Sequence, residues 1–223
     1  NGSSSVNMTI ENTSAAANTA AIWVASLGTG AGAASNTIKN CNIKAGNIGV
    51  AANTFGIYAG GTAITTSGTG DDNDDLTINN NTISKAYYGI YAQASATGVN
   101  NNLTITGNTI GSATATDYVT FRGLLVSQTN NAVIRQNTVF NMITTEAIVL
   151  RAMEFGAGVT NTEIARNLIY NIEYVGTGFR AGQGISVTTT NPANITIANN
   201  VIYGLKGHGS GTMTNNSLGI AVL

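Results

Sequence analysis

The chain is short of charge, cysteine, proline and long apolar runs, and each shortage excludes something. Only 9% of its 223 residues are charged, nine Lys or Arg against ten Asp or Glu for a net charge of −1, where a soluble domain usually carries about a quarter. No basic face can be assembled to neutralise phosphates, so nucleic acid is not an expected partner. Intrinsic disorder is excluded from the other side, because 43% of the residues are hydrophobic and disordered chains combine low hydrophobicity with high net charge. No apolar run reaches the roughly 18 residues a spanning helix needs, so membrane insertion is not expected. The single cysteine, Cys41, can form no intramolecular disulfide and reads as a small buried side chain. What remains is 27 glycines, one proline and abundant Asn and Thr, which suggests a regular β array with many turns and a neutral polar surface. The chain opens at Asn1 with neither Met nor a leader-like segment and closes on the strand-like Leu218–Leu223. It therefore reads as one domain over 1–223, without evident caps, and as a section of a longer protein.

The dominant feature is a repeat. The segment Leu76-Thr77-Ile78-Asn79-Asn80-Asn81-Thr82-Ile83 has a near copy in Leu103–Ile110 and looser copies in Ala132–Val139, Thr162–Ile169 and Ile195–Ile202, with two degenerate copies around Met8–Asn12 and Asn36–Ile43. Aligned on the central isoleucine the copies fall at 10, 38, 78, 105, 134, 164 and 197, at intervals of 28, 40, 27, 29, 30 and 33. A second series alternates with the first: Ala21-Ile22-Trp23-Val24, Gly56-Ile57-Tyr58-Ala59, Gly89-Ile90-Tyr91-Ala92, Gly123-Leu124-Leu125-Val126, Ala147-Ile148-Val149-Leu150, Gly184-Ile185-Ser186-Val187 and Gly219-Ile220-Ala221-Val222. Both series alternate with period two and neither sustains a helical period, so the pieces are strands.

Three short strands per turn of roughly 30 residues, with elastic connections, point to an all-β solenoid of about seven coils. On its x-I-x-x-N-x-I motif, which covers essentially the whole chain, the sequence resembles the right-handed parallel β-helix, pectin-lyase-like repeat family. That resemblance implies the fold. It leaves activity open, since such proteins include polysaccharide lyases, glycosidases, tailspikes, adhesins and inert surface proteins.

The recurring asparagine has a physical explanation. Asn tolerates the left-handed backbone of a tight turn, and Asn81, Asn108, Asn137, Asn167 and Asn200, stacked about 4.8 Å apart, can bond one another's amides as an inward ladder. Cys41 and Thr13 take the equivalent place in the first two coils, where the ladder should break.

Several residues are candidates for chemistry. The acidic run Asp71-Asp72-Asn73-Asp74-Asp75, in the longest coil, is either a solvated loop or a Ca²⁺ site built from Asp71, Asp72, Asp74 and Asp75; no other cofactor is expected. Gly207-His208-Gly209 is similar to an element of the polygalacturonase-type glycosidases, but the paired aspartates that accompany it there are missing. Glu163 and Glu173 stand in the preceding coil instead, so no catalytic residue is assigned and His208 reads as a loop residue. Two aromatic rows, Trp23, Tyr58, Tyr91 and Phe140, Tyr170, Tyr203, should point outward on consecutive coils as a stiffening ladder, a protein contact or a platform for sugar rings. Arg122, Arg135, Arg151, Arg166 and Arg180 should pair across coils with Glu146, Glu154, Glu163 and Glu173. Thr9, Thr37, Thr77, Thr104 and Thr196 form a partial row on the first strand.

These readings converge on a non-catalytic, extracellular or cell-surface structural or adhesive element, such as a section of a bacterial surface protein. Its partners would be other modules of the same chain or surface complex, or a glycan. A carbohydrate-active or glycan-binding β-helix domain is the alternative, and a subunit stacking end to end into filaments, by edges at Val6–Ile10 and Leu218–Leu223, is a third.

Overall fold

The computed structural model describes residues 5–6, 8–49, 51–189, 193–209 and 212–223. The chain winds through three parallel sheets in turn. The first sheet has six strands, from Thr37–Lys39 through Thr77–Asn79, Thr104–Thr106, Val133–Arg135 and Glu163–Ala165 to Thr196–Ala198. The second has seven, from Met8–Glu11 to Val201–Lys206, and the third seven, from Ala20–Ala25 to Leu218–Val222. Each strand pairs in parallel with its counterpart one coil away, which makes about six turns of a parallel β-helix.

Register follows from the aliphatic positions. Ile38, Ile78, Ile105, Ile134, Ile164 and Ile197 lie opposite one another along the first sheet. Ile78, Ile105, Ile134 and Ile164 are fully buried in one shared core with Ile43, Ile83 and Ile110 of the second sheet and Ile57, Ile90 and Leu124 of the third. A one-residue slip would turn every one of these side chains to the surface, and each buried aliphatic is worth roughly 1.5–3 kcal/mol, so the column fixes the alignment of the coils.

Two alignments made on sequence grounds are corrected. Ile10 pairs with Ile43 and Met8 with Cys41, so the strand Met8–Glu11 belongs to the second sheet. Thr9 therefore leaves the proposed threonine row, and the ladder position of the first coil is held by Met8 rather than Thr13. Asn7, within the edge suggested at Val6–Ile10, lies outside the described residues. In the third sheet, Met153 rather than Ile148 stands in register with Leu124 and Ile185. Leu150, Met153 and Phe155 of the strand Leu150–Phe155 are the bulky side chains on the core column, whereas Ile148 precedes the strand and packs against the separate aromatic cluster around Phe55 and Tyr88.

The asparagine ladder saturates every interior polar group it touches. In Asn137, Oδ1 accepts from the backbone N–H and from Nδ2 of Asn108, both at 3.0 Å. Its own Nδ2 donates to Oδ1 of Asn167 at 3.1 Å and to the carbonyl of Ile105 at 2.8 Å. Asn81, Asn108 and Asn167 repeat the pattern, and all four are buried. The left-handed residue of the turn is the one before: Asn40, Asn80, Gln136, Arg166 and Asn199 have φ between 52° and 59°, and Gly107 has φ 66°. The ladder residue is thus chosen for its amide and not for its backbone. At Cys41 the backbone N–H still reaches Oδ1 of Asn81 at 3.0 Å, but the thiol turns to the carbonyl of Lys39 and the side-chain chain stops.

Replacing Asn137 by alanine strands two buried donors of Asn108 and the carbonyl of Ile105, at about 1–3 kcal/mol each. Asn137→Ala should therefore lower unfolding stability by about 3 kcal/mol or more, whereas Asn102→Gly, which removes an exposed ladder side chain described below and leaves its left-handed backbone (φ 59°) unstrained, should cost less than about 1 kcal/mol. Denaturant midpoints of the two variants check this, and equal losses would contradict it.

Candidate functional site

The two aromatic rows differ in what covers them. Trp23, Tyr58 and Tyr91 are in register on the outer face of the third sheet, but Tyr58 and Tyr91 are completely buried. Their rings stack at 5.0 Å within a cluster that includes Phe55, Tyr87 and Tyr88. The longest coil folds its extra residues over them. The Tyr58 hydroxyl accepts the Thr65 N–H at 3.2 Å and lies 3.0 Å from the Ala63 carbonyl, and the Tyr91 hydroxyl donates to the Gly68 carbonyl or to Oε1 of Gln93. Sequence alternation gave the correct side of the sheet but not the loop that closes it, so Tyr58 and Tyr91 offer no ring face to a ligand. Trp23 stays 45% exposed, with Nε1 donating to the Gly61 carbonyl. Phe140, Tyr170 and Tyr203 form an open stack on the second sheet, with ring centroids 5.3 and 5.4 Å apart, and Tyr203 is exposed.

The acidic run is likewise consumed locally. Asp71 accepts from the Ser95 N–H at 2.9 Å and the Thr29 hydroxyl at 3.0 Å, Asp72 from the Gly30 N–H, Asp74 from the backbone and side-chain amides of Asn101, and Asp75 from Nδ2 of Asn102. These contacts tie the long coil to its neighbours on both sides. They also continue outward as a second, exposed ladder, in which Asn131 donates to Asn102 at 2.7 Å and Asn194 to Asn161 at 2.9 Å. Among the described residues no three His, Cys, Asp or Glu side chains are grouped to hold a metal ion, so Asp71, Asp72, Asp74 and Asp75 are not brought together as a ligand set.

The basic residues are partly paired. Arg122 bonds Glu154, which also receives Arg151 at 3.0 Å, and Arg135 bonds Glu163 through Nε at 2.8 Å. Arg151 further donates to Oε1 of Gln183. Arg180 departs from the expected pairing and donates to the carbonyls of Ala147 and Phe179; for Arg166 and Glu146 no ion pair forms among the described residues.

A groove runs along the turn between the second and third sheets, and Gly207 and His208 of the element noted above line it. One cavity of about 560 Å³ is lined by Glu173, Tyr174, Lys206 and His208 among others. A second of about 310 Å³, lined by Tyr118, Thr144 and Glu146, shares Val175 with it. His208 is held by its N–H on the Arg180 carbonyl and meets the Tyr174 ring edge-on at 6.3 Å. Glu173 lies opposite Lys206 in register and is ion-paired to it at 2.9 Å. Of the two glutamates noted near His208, Glu173 shares its cavity and Glu163 lies on the first sheet, paired to Arg135. The sequence signal that could have found the groove is the extension of Thr138–Thr144, Leu168–Tyr174 and Val201–Lys206 past the repeat motif.

The stacked parallel sheets, the shared aliphatic column and the amide ladder define a parallel β-helix. The family model described as right handed beta helix region matches residues 69–221, more than half of the chain, and the protein belongs to that family. No curated protein and no solved structure matches the chain.

Two pH limits follow from these contacts. Burial alone would raise the Asp71 carboxyl, but the N–H and hydroxyl of Ser95 and the hydroxyl of Thr29 outweigh it and hold the group below the usual carboxylate range. A carboxyl depressed in the folded state stabilises above its unfolded pKa of about 4 and loses that contribution as pH falls through the folded value. Asp71→Asn should therefore reduce stability at neutral pH and flatten its decline below about pH 4, read from denaturant midpoints against pH. At the other extreme, burial pushes the Tyr88 phenol up to about 12 and raises Tyr87 and Tyr91 as well. Groups raised on folding stabilise fully below their unfolded pKa of about 10 and lose that contribution as pH climbs through the folded value. Spectrophotometric titration should show these three phenols protonated at about pH 11 in the folded protein and released on unfolding.

Proposed function

We propose that this β-helix is a non-catalytic structural or adhesive element of an extracellular or cell-surface protein, working beside other modules of its chain or surface complex. The observation that carries the reading is the neutral amide ladder from Asn81 to Asn200 in the coil stack. Amide-to-amide bonds neither titrate nor respond to salt, so a rod built on them keeps its rigidity outside the cell, where pH and ionic strength vary. The exposed side chains are largely Asn, Thr and Ser, which suits a durable wall with few reactive groups.

A second reading, a carbohydrate-active or glycan-binding domain, is favoured by one feature, the groove containing Tyr118, Glu146, Glu173, Tyr174 and His208. Sugar hydroxyls could bond its carboxylates and lie against its tyrosines.

Two measurements separate the readings. For a structural rod, the unfolding free energy should change by less than about 1 kcal/mol between roughly 0.05 and 1 M NaCl, because exposed ion pairs contribute little and the ladder is uncharged. Incubation with neutral and uronate-rich polysaccharides should give neither new reducing ends nor unsaturated uronides. Turnover by the unaltered protein that disappears in Glu173→Gln would overturn this reading in favour of the second.

A further inference from the structure

A phenol gives up an electron together with its proton, so it is oxidised readily only where water can take the proton. The fold sorts the eight tyrosines sharply by this criterion. Tyr58, Tyr87, Tyr88, Tyr91 and Tyr174 are buried, and Tyr118 lines the groove. Tyr170 and Tyr203 remain, directly opposite each other on neighbouring strands of the second sheet. Their rings stack with centroids 5.4 Å apart and planes 7° from parallel.

What this pair offers to solvent is its edge. Tyr170 is covered on one face by Phe140 and on the other by Tyr203, yet it is only half-buried, so its hydroxyl and the ring carbons beside it meet water. That exposure belongs to the side wall of the solenoid and does not depend on what lies beyond Tyr203. Phe140 has no hydroxyl and forms no phenoxyl radical, which confines the chemistry to one pair.

The molecule carries its own control. Tyr58 and Tyr91 stack in the same way, at 5.0 Å and 8°, but they are completely buried beneath the long coil with their hydroxyls on backbone carbonyls, and burial raises the Tyr91 phenol. The two pairs share their stacking and differ in whether a proton can leave.

We propose that Tyr170 and Tyr203 form an oxidative cross-linking site, at which a peroxide-dependent haem oxidant joins the two rings as dityrosine and ties neighbouring coils covalently. Each phenol loses one electron and one proton, and the two phenoxyl radicals join through the carbons ortho to their oxygens. Transfer of the hydrogens on those carbons to the oxygens restores both aromatic rings. The two electrons and two protons released reduce one hydrogen peroxide to two waters. Surface side chains reorient within nanoseconds, which lets the stacked rings turn edge to edge. Strand register holds the radicals at an effective concentration of roughly millimolar or more, so at micromolar protein they couple within one chain before they meet another. The inference is independent of the functional reading above.

The test treats the 223-residue chain, at micromolar concentration, with a haem peroxidase and hydrogen peroxide. Cleavage after Arg166, Arg180 and Lys206 places Tyr170 in the peptide 167–180 and Tyr203 in the peptide 181–206. The expected product is a monomer in which these two peptides are joined with loss of two hydrogen atoms and show dityrosine fluorescence. Tyr170→Phe and Tyr203→Phe retain a ring for the stack and should leave the unfolding midpoint unchanged, while each lowers the yield of joined peptides by about 10-fold or more. Tyr174→Phe, in the same peptide as Tyr170, should leave the yield unchanged. Backbone hydrogen exchange over Val201–Lys206 should slow in the cross-linked monomer. Absence of joined peptides, their persistence in either Tyr170→Phe or Tyr203→Phe, cross-links between chains only, or joining of Tyr58 to Tyr91 under the same treatment would overturn the site. Unchanged exchange in the cross-linked monomer would overturn the tie between coils.

Discussion

Stacking coils about 4.8 Å apart forces every polar atom that faces the interior to find its partner in the coil above or below. Asparagine meets that demand with one side chain: in Asn137 the oxygen accepts two donors and the nitrogen gives two, so four bonds close without charge. A serine or threonine at the same place has one donor and cannot serve both the carbonyl of one coil and the amide of the next. Cys41 illustrates the consequence, since its thiol bonds the carbonyl of Lys39 in its own coil and contributes nothing across the gap.

The same rule governs the outside of the wall. Asn131 on Asn102 and Asn102 on Asp75 repeat the ladder in solvent, Tyr170 on Tyr203 repeats it with rings, and Arg135 on Glu163 repeats it with charge. Because these outer contacts are exposed to water, they add little free energy individually. Their value is in register, since each opposes the slip that the aliphatic column already penalises. The longest coil shows how an insertion is accommodated. Its extra residues cover the stacked Tyr58 and Tyr91, and Asp71 bonds Thr29 in one neighbouring coil and Ser95 in the other, so a run of like charges becomes a set of tethers.

How much of this was legible in the sequence depended on whether a residue answers to its own coil or to another. Ile78, Ile105, Ile134 and Ile164, with the asparagine three residues on, declare the coil because both obey a short local period. Ile10 was misassigned for a physical reason: the first-coil sequence carries only one of the two apolar sites of the repeat, and nothing local says which. Ile148 and Met153 compete in the same way, and Met153 takes the core column while Ile148 packs against the aromatic cluster. The burial of Tyr58 is not legible because the covering residues, Ala63 to Gly68, have no apolar period and hold their place through backbone groups and the single side chain of Ile64. The groove is only partly legible, through His208 and Glu173, for a related reason. Its lining comes from turns of several coils, so Glu146, Tyr174 and His208 approach one another only after the helix has wound.

That origin also bears on what the groove can do. The core-facing repeat is held in register by its neighbours, and the turns between the second and third sheets are freer to vary, so chemistry added to the stack is most easily placed there. Hydrolysis of a glycosidic bond needs one carboxyl to donate a proton and a second to act on the other side, at a separation of roughly 5 to 9.5 Å. Glu173 is already engaged by Lys206 across the coils, and its recruitment as a proton donor would require that pair to open. Glu146 stands in the preceding coil without such a partner among the described residues. One engaged and one unengaged carboxylate, flanked by Tyr118 and Tyr174, can hold a polar chain by hydrogen bonds more readily than they can cleave it. Catalysis in the groove would therefore demand that a coil-to-coil contact be given up.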